Sequence, residues 1–284
     1  MTYTEFKAKQ QFLELPEGRI AYIDEGHGAP ILLLHGVPTS GWLYRHIFPE
    51  LVQKGYRVIV PDMFGYGSSD SPKGYEKYHE KFQAERLSKL MEHLSINKWT
   101  HMFHDAGGLW TWELLKQQPK SIKQLIILNT IILKPGFTPP MRFGNNFLTK
   151  FVMNLYSYRL TNTMLMKGLF KSGLLENNLS KDDIEGYKMP LLQGKIKGMY
   201  YFFSKTCHNL PDYSSLLPTL EQQVLVIWGK HDEFLKWEPQ QDQIKRALNI
   251  KTKNIHVIEG KHFIQEEIPE KIINLTHQFI QASN

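Results

Sequence analysis

The chain predicts an α/β protein: a mainly parallel central sheet with helices on both faces, interrupted by an inserted, mainly helical cap. Three observations carry this. Short apolar runs of strand length alternate with helical stretches through the first third of the chain, and again after residue 220. Those runs are continuously apolar and end at turn residues, as strands buried on both faces do. Between them, over 133–220, the rhythm stops and the composition shifts: this segment holds 11 Lys and Arg against 5 Asp and Glu, 6 of the 10 Met and 6 of the 13 Tyr, but none of the 6 Trp.

In chain order, 31–34 (ILLL) reads as the first buried strand and 57–60 (RVIV) as the next, ending at Pro61-Asp62. Residues 76–94 have helical spacing, with Phe82, Leu87, Leu90, Met91 and Leu94 as the apolar stripe. A strand over 99–104 runs into Gly107-Gly108 and a helix that Pro119 stops. Strands are expected again at 123–128, 224–228 and 254–258, and a helix over 270–282. The insertion is helical and aromatic, broken at Pro135-Gly136, Pro139-Pro140 and Pro211. The expected organisation is a core of 1–132 and 221–284 carrying a cap of 133–220.

Composition narrows the class. With 284 residues, 42% hydrophobic and 22% charged, the chain is long enough for one domain with an insertion and is neither disordered nor fibrous. One cysteine, Cys207, excludes an intramolecular disulfide and a cysteine-rich metal site. The first 15 residues lack a basic start followed by an apolar run, and no apolar stretch reaches the roughly 18 residues of a span. A soluble, cytoplasmic protein with no membrane partner is expected, as a monomer or homodimer. The net charge of +6 resides in the insertion. Without a nucleic-acid motif it reads as a solvated lysine-rich face, so no nucleic-acid partner is expected.

The chemistry concentrates at strand ends. Phe103-His104-Asp105-Ala106-Gly107-Gly108 joins a strand directly to a helix. In that context a tight turn projects one side chain above the sheet while small neighbours allow the bend. The projecting residue is Asp105, and no G-x-S-x-G occurs. Asp232 follows the strand at 224–228, His262 follows the last strand, and His35-Gly36-Val37-Pro38 follows the first. The order is nucleophile, acid, histidine, each at a strand's carboxyl end, where open parallel sheets build sites. His104, His35, Asp62 and Asp70 read as structural residues of the surrounding turns.

The segments LLLHGVPTSGWLYRHIFPEL, VIVPDMFGYGSSDSP, FHDAGG, VIWGKHDEF and EGKHFIQEE resemble those of the α/β-hydrolase fold in its aspartate-nucleophile branch, the group of epoxide hydrolases and haloalkane dehalogenases. The resemblance implies Asp105 as nucleophile, His262 as base, Asp232 as its orienting acid, and backbone N–H groups of Val37 and Ala106 as the oxyanion hole. It implies no metal or organic cofactor. A carboxylate is ionised at neutral pH and attacks without a base, and on a saturated carbon it yields a hydrolysable alkyl ester. The expected substrate is a small apolar electrophile, an epoxide or a halide.

The resemblance also implies donors for the leaving group. Dehalogenases use side-chain N–H groups, commonly a tryptophan after the nucleophile, where this chain has Ala106. Epoxide hydrolases use two cap tyrosines. Tyr201, in GMYYFFSK, is expected to supply one, with Tyr156 or Tyr158 as partner. An epoxide hydrolase giving vicinal diols is therefore the leading reading, a haloalkane or haloacid dehalogenase the second, and a non-catalytic ligand-binding relative the third. Met153, Met164, Met166 and Met199 are expected to shape the pocket.

Overall fold

The computed structural model describes residues 1–282. After α1 (Tyr3–Ala8) the chain forms an antiparallel hairpin, β1 (Gln11–Leu15) and β2 (Gly18–Glu25). There follow β3 (Pro30–Leu34), α2 (Phe48–Gln53), β4 (Arg57–Pro61), α3 (Glu80–His93), β5 (Trp99–Asp105), α4 (Gly107–Gln117) and β6 (Ile122–Thr130). Between β6 and the next strand lie α5 (Phe147–Leu155), α6 (Arg159–Gly173), α7 (Lys181–Leu192) and α8 (Lys197–Tyr201). The chain ends with β7 (Gln223–Gly229), α9 (Gln241–Ala247), β8 (Ile255–Ile258), α10 (Ile264–Glu267) and α11 (Pro269–Gln281).

All eight strands share one sheet in the order β1-β2-β4-β3-β5-β6-β7-β8. Neighbours from β4 to β8 are parallel, and β2 runs antiparallel to both β1 and β4. The most deeply buried strands are those at the centre: every residue of β5 is buried, as is every residue of β6 apart from Lys123. Covering both faces of a parallel sheet with helices removes those side chains from water, the main favourable contribution to folding. The sequence reading did not identify β1 and β2. Phe82 also departs from expectation, being exposed on α3, whereas Leu87, Leu90 and Met91 are buried.

The helices between β6 and β7 are fastened to the rest through Arg45, whose side chain is fully buried. Its Nη2 donates to Asp183 Oδ1 of α7 at 2.7 Å, and its Nη1 donates to Glu266 Oε1 of α10 at 2.5 Å. Trp42 Nε1 donates to the Asp183 carbonyl at 3.0 Å. A second fastening is backbone to backbone: Phe263 N–H donates to the Gly173 carbonyl, at 3.0 Å, at the end of α6.

Candidate active site

Asp105 ends β5, the strand at the middle of the sheet, and adopts φ 50°. A non-glycine residue there is uncommon and must be held. Its carbonyl accepts from Thr130 Oγ1 at 2.5 Å and from Ile131 N–H at 3.1 Å, which ties the bend to β6. Gly36 makes room on the other side. A β-carbon at Gly36 would lie 2.4 Å from both Cβ and Oδ1 of Asp105, so only glycine permits this approach.

The carboxylate is divided between two sets of partners. Oδ1 accepts from Val37 N–H at 2.6 Å, and the Ala106 N–H also interacts with the carboxylate. Oδ2 faces His262, 3.7 Å from Nε2. Burial pushes the Asp105 pKa up; the nearby His262 and the two backbone donors oppose that shift.

On the far side of the imidazole, His262 Nδ1 lies 2.8 Å from Asp232 Oδ2. Burial works against the imidazolium, but the charge and hydrogen bond of Asp232 and the charge of Asp105 outweigh it, so the His262 pKa is raised. Asp232 is itself fixed. Its Oδ1 accepts from the N–H groups of Phe234 and Leu235 at 2.8 and 3.0 Å, and its Oδ2 from Asn129 Nδ2 at 2.7 Å. Asn129 Oδ1 in turn accepts from Gly229 N–H at 2.8 Å. Sequence reasoning missed Asn129, although a lone amide near the end of the apolar run QLIILNT was a visible signal.

The neighbouring polar residues have structural partners. His104 Nε2 lies 2.9 Å from the His262 carbonyl, so its ring supports the loop and faces away from Asp105. Burial lowers its pKa well below the usual range, keeping it neutral. His35 Nε2 accepts from Met63 N–H at 3.0 Å while Nδ1 lies 2.7 Å from the Gly36 carbonyl, and burial brings its pKa down to about 4. Asp62 accepts from Gly41 N–H, Ser68 N–H and Gln10 Nε2, and Asp70 from Arg19 N–H.

Above Asp105 and His262 lies a cavity of about 360 Å³. Its walls include Phe137, Leu169, Met199, Phe202, Phe203 and Phe234. The polar side chains lining it are those of Asp105, His262 and Ser172. None of Tyr156, Tyr158 and Tyr201 is among the lining residues. The reason is helical phase. Met199, Phe202 and Phe203 face the cavity, and Tyr201, two residues from Met199, points off that face, its ring 6.4 Å from that of His79. Burial and the charge of Glu80 push its pKa up to about 12. Tyr158 precedes α6 and is exposed, and Tyr156 closes α5, packed against the core. Met164 and Met199 line the cavity as expected, and Met153 and Met166 are buried elsewhere.

A model of the alpha/beta hydrolase fold matches residues 29–269, from just before β3 to the first residue of α11. The chain belongs to the alpha/beta hydrolase family. It is 28% identical over 278 residues to a haloalkane dehalogenase of Psychrobacter cryohalolentis, covering 93% of this chain and 88% of that one. It is 26% identical over 286 residues to epoxide hydrolase 4 of Mus musculus, covering 93% and 76%. Among solved structures, a thermophilic esterase from Thermogutta terrifontis superposes with a TM-score of 0.74 at 21% identity, covering 96% of this chain and 98% of that one. Such structural likeness shows the fold; the sequence relatives place this hydrolase beside the epoxide hydrolases and dehalogenases.

Proposed function

We propose that this hydrolase attacks a saturated carbon through Asp105, forming an alkyl-ester intermediate, and that its substrate is a small apolar epoxide hydrolysed to a diol. The observation that carries this is the division of the Asp105 carboxylate: one oxygen on Val37 N–H, the other facing His262 beneath an apolar cavity. Residues 133–220 serve as the cap over that site.

In the first step Oδ2 bonds to a ring carbon, the carbon–oxygen bond breaks, and the alkoxide takes its proton from the His262 imidazolium. Protonation of His262 is favoured in the free enzyme by Asp232 and Asp105. The Ser172 hydroxyl, on the cavity wall, hydrogen-bonds the ring oxygen. With the ester formed, the charge on Asp105 is gone and imidazole is neutral, hence a base. It takes a proton from water as the hydroxide adds to Cγ. Oδ1 then carries the negative charge, already against Val37 N–H, with Ala106 N–H as the second donor; each such donor contributes on the order of 3 kcal/mol. Collapse expels the diol alkoxide, which takes the carboxyl proton, and the carboxylate–imidazolium pair is restored.

The choice of an epoxide rests on the lining. Among the described residues, the only polar side chain lining the cavity beside Asp105 and His262 carries a hydroxyl, and no tryptophan, asparagine or arginine lines it to hold a halide. The test is product analysis with styrene-type epoxides, aliphatic epoxides and bromoalkanes. Diol release that disappears in Asp105→Asn supports the proposal. Bromide release without diol formation assigns the enzyme to dehalogenation, and turnover that survives Asp105→Asn rejects the nucleophile.

A further inference from the structure

We propose that the outer surface of the cap, on α5 and α6, docks the protein onto an anionic lipid bilayer with the mouth of the cavity at that surface. Two properties coincide there. Of eleven large hydrophobic side chains exposed among the described residues, six fall within 147–164: Phe147, Leu148, Phe151, Tyr158, Leu160 and Met164. Phe147 is 85% exposed, Leu160 76% and Met164 66%. Phe147, Leu148 and Phe151 share one face of α5, and Leu160 and Met164 one stripe of α6. Single exposed apolar residues are ordinary, but a run of them on consecutive helices marks an interaction surface.

The charge says what that surface meets. No acidic residue occurs between Glu113 and Glu176, while 134–175 contains Lys134, Arg142, Lys150, Arg159, Lys167 and Lys171. Lys167 and Lys171 continue the stripe of Leu160 and Met164 along α6, and both are exposed, as is Arg142. Arg159 is paired with Glu185 of α7 at 3.9 Å, which leaves Arg142, Lys167 and Lys171 as exposed cations beside the apolar side chains. A predominantly basic face carrying large apolar side chains suits a surface that is both negative and apolar beneath, namely acidic headgroups over acyl chains. This is peripheral attachment: no helix among the described residues is long and apolar enough to cross a membrane. It departs from the reading of the basic cap as a purely solvated face.

Helix α6 links this surface to the cavity. Its residues Leu165, Gly168, Leu169 and Ser172 line the cavity, and Met164, at the edge of that face, both lines the cavity and is exposed. The cavity therefore reaches the outside beside Met164.

The test is co-sedimentation of the whole protein with vesicles of phosphatidylcholine alone and of phosphatidylcholine mixed equally with phosphatidylglycerol. The expected result is binding to the mixed vesicles and little to the neutral ones. Phe147→Ser/Leu148→Ser/Phe151→Ser should weaken that binding about tenfold or more, as should Arg142→Glu/Lys167→Glu/Lys171→Glu. These side chains are exposed, so circular dichroism and the thermal midpoint should match the parent. Asp105→Asn should bind vesicles normally, so docking is tested whether or not an epoxide proves to be the substrate. Failure of the parent to bind, or equal binding by the apolar triple variant, would overturn the proposal. So would lipid-free self-association, seen by sedimentation velocity and abolished by that triple variant, without vesicle binding; the face would then join two copies of the chain.

Discussion

His262 is held between two carboxylates, and in the proposed mechanism only one of them stays charged through the first chemical step. Asp232 stays charged on Nδ1, whereas Asp105, 3.7 Å from Nε2, becomes a neutral ester. In the free enzyme both carboxylates raise the His262 pKa against the effect of burial. Esterification removes one of them, so His262 loses its proton more readily in the intermediate. Since neutral imidazole is the base, hydrolysis of the ester should accelerate as pH rises through that lowered pKa. Single-turnover decay of the intermediate should therefore rise along one ionisation whose midpoint lies below that of His262 in the free enzyme, as NMR would locate it. A rate that is flat or falls with pH contradicts the role. Asn129 acts through Asp232: Asn129→Leu should slow ester hydrolysis about ten- to a hundredfold and, because His262 also protonates the alkoxide, slow alkylation as well, both read by pre-steady-state kinetics. Ser172→Ala should slow alkylation by epoxides roughly tenfold, the low end for removal of one donor to developing charge, and leave attack on a bromoalkane unaffected.

The elements differ in how much of them the sequence disclosed. Asp105, Asp232, His262 and Val37 could be placed because each follows a stretch that reads as a strand, and a parallel sheet brings such strand ends together. Asn129 was not placed, because one amide at a strand end does not reveal its partner across the sheet. The cap tyrosines illustrate the same limit: 199–203 is an aromatic helix in either register, and only the position of the cavity decides that Met199, Phe202 and Phe203 line it while Tyr201 does not. The hairpin of β1 and β2 was hidden because β1, a five-residue edge strand, is mostly exposed and the apolar run of β2 is only four residues between charged ends, and the exposure of Phe82 by its place in the first turn of α3. Arg45 lies in a recognised motif, but its partners Asp183 and Glu266 are more than a hundred residues away. Removing it leaves Glu266 buried without its cation, so Arg45→Met should cost about 3–5 kcal/mol in denaturant unfolding. Adding Glu266→Leu should recover much of that loss, since the stranded charge is then gone. If the double variant is no more stable than the single one, Arg45 acts through packing alone.

Across the whole molecule, reaction type and substrate range have separate sources. The sheet supplies Asp105, His262, Asp232 and the backbone donors, whereas α6, α8 and the segment around Met141 supply most of the apolar wall. Substitutions at Met164 or Met199 should reorder a substrate series, and those at Met153 or Met166 should change stability and leave the ranking intact. All of this rests on a covalent ester at Asp105, which can be observed. His262→Gln keeps the nucleophile and removes both the acid of ring opening and the base of ester hydrolysis. Opening is then slower, with water protonating the alkoxide, but the ester has no base to hydrolyse it, so prolonged incubation with a styrene-type epoxide should leave the intact protein heavier by one substrate. Digestion should place the added mass on the peptide containing Asp105. An adduct on any other residue, or an unmodified protein with a substrate that the parent enzyme turns over, would contradict the account.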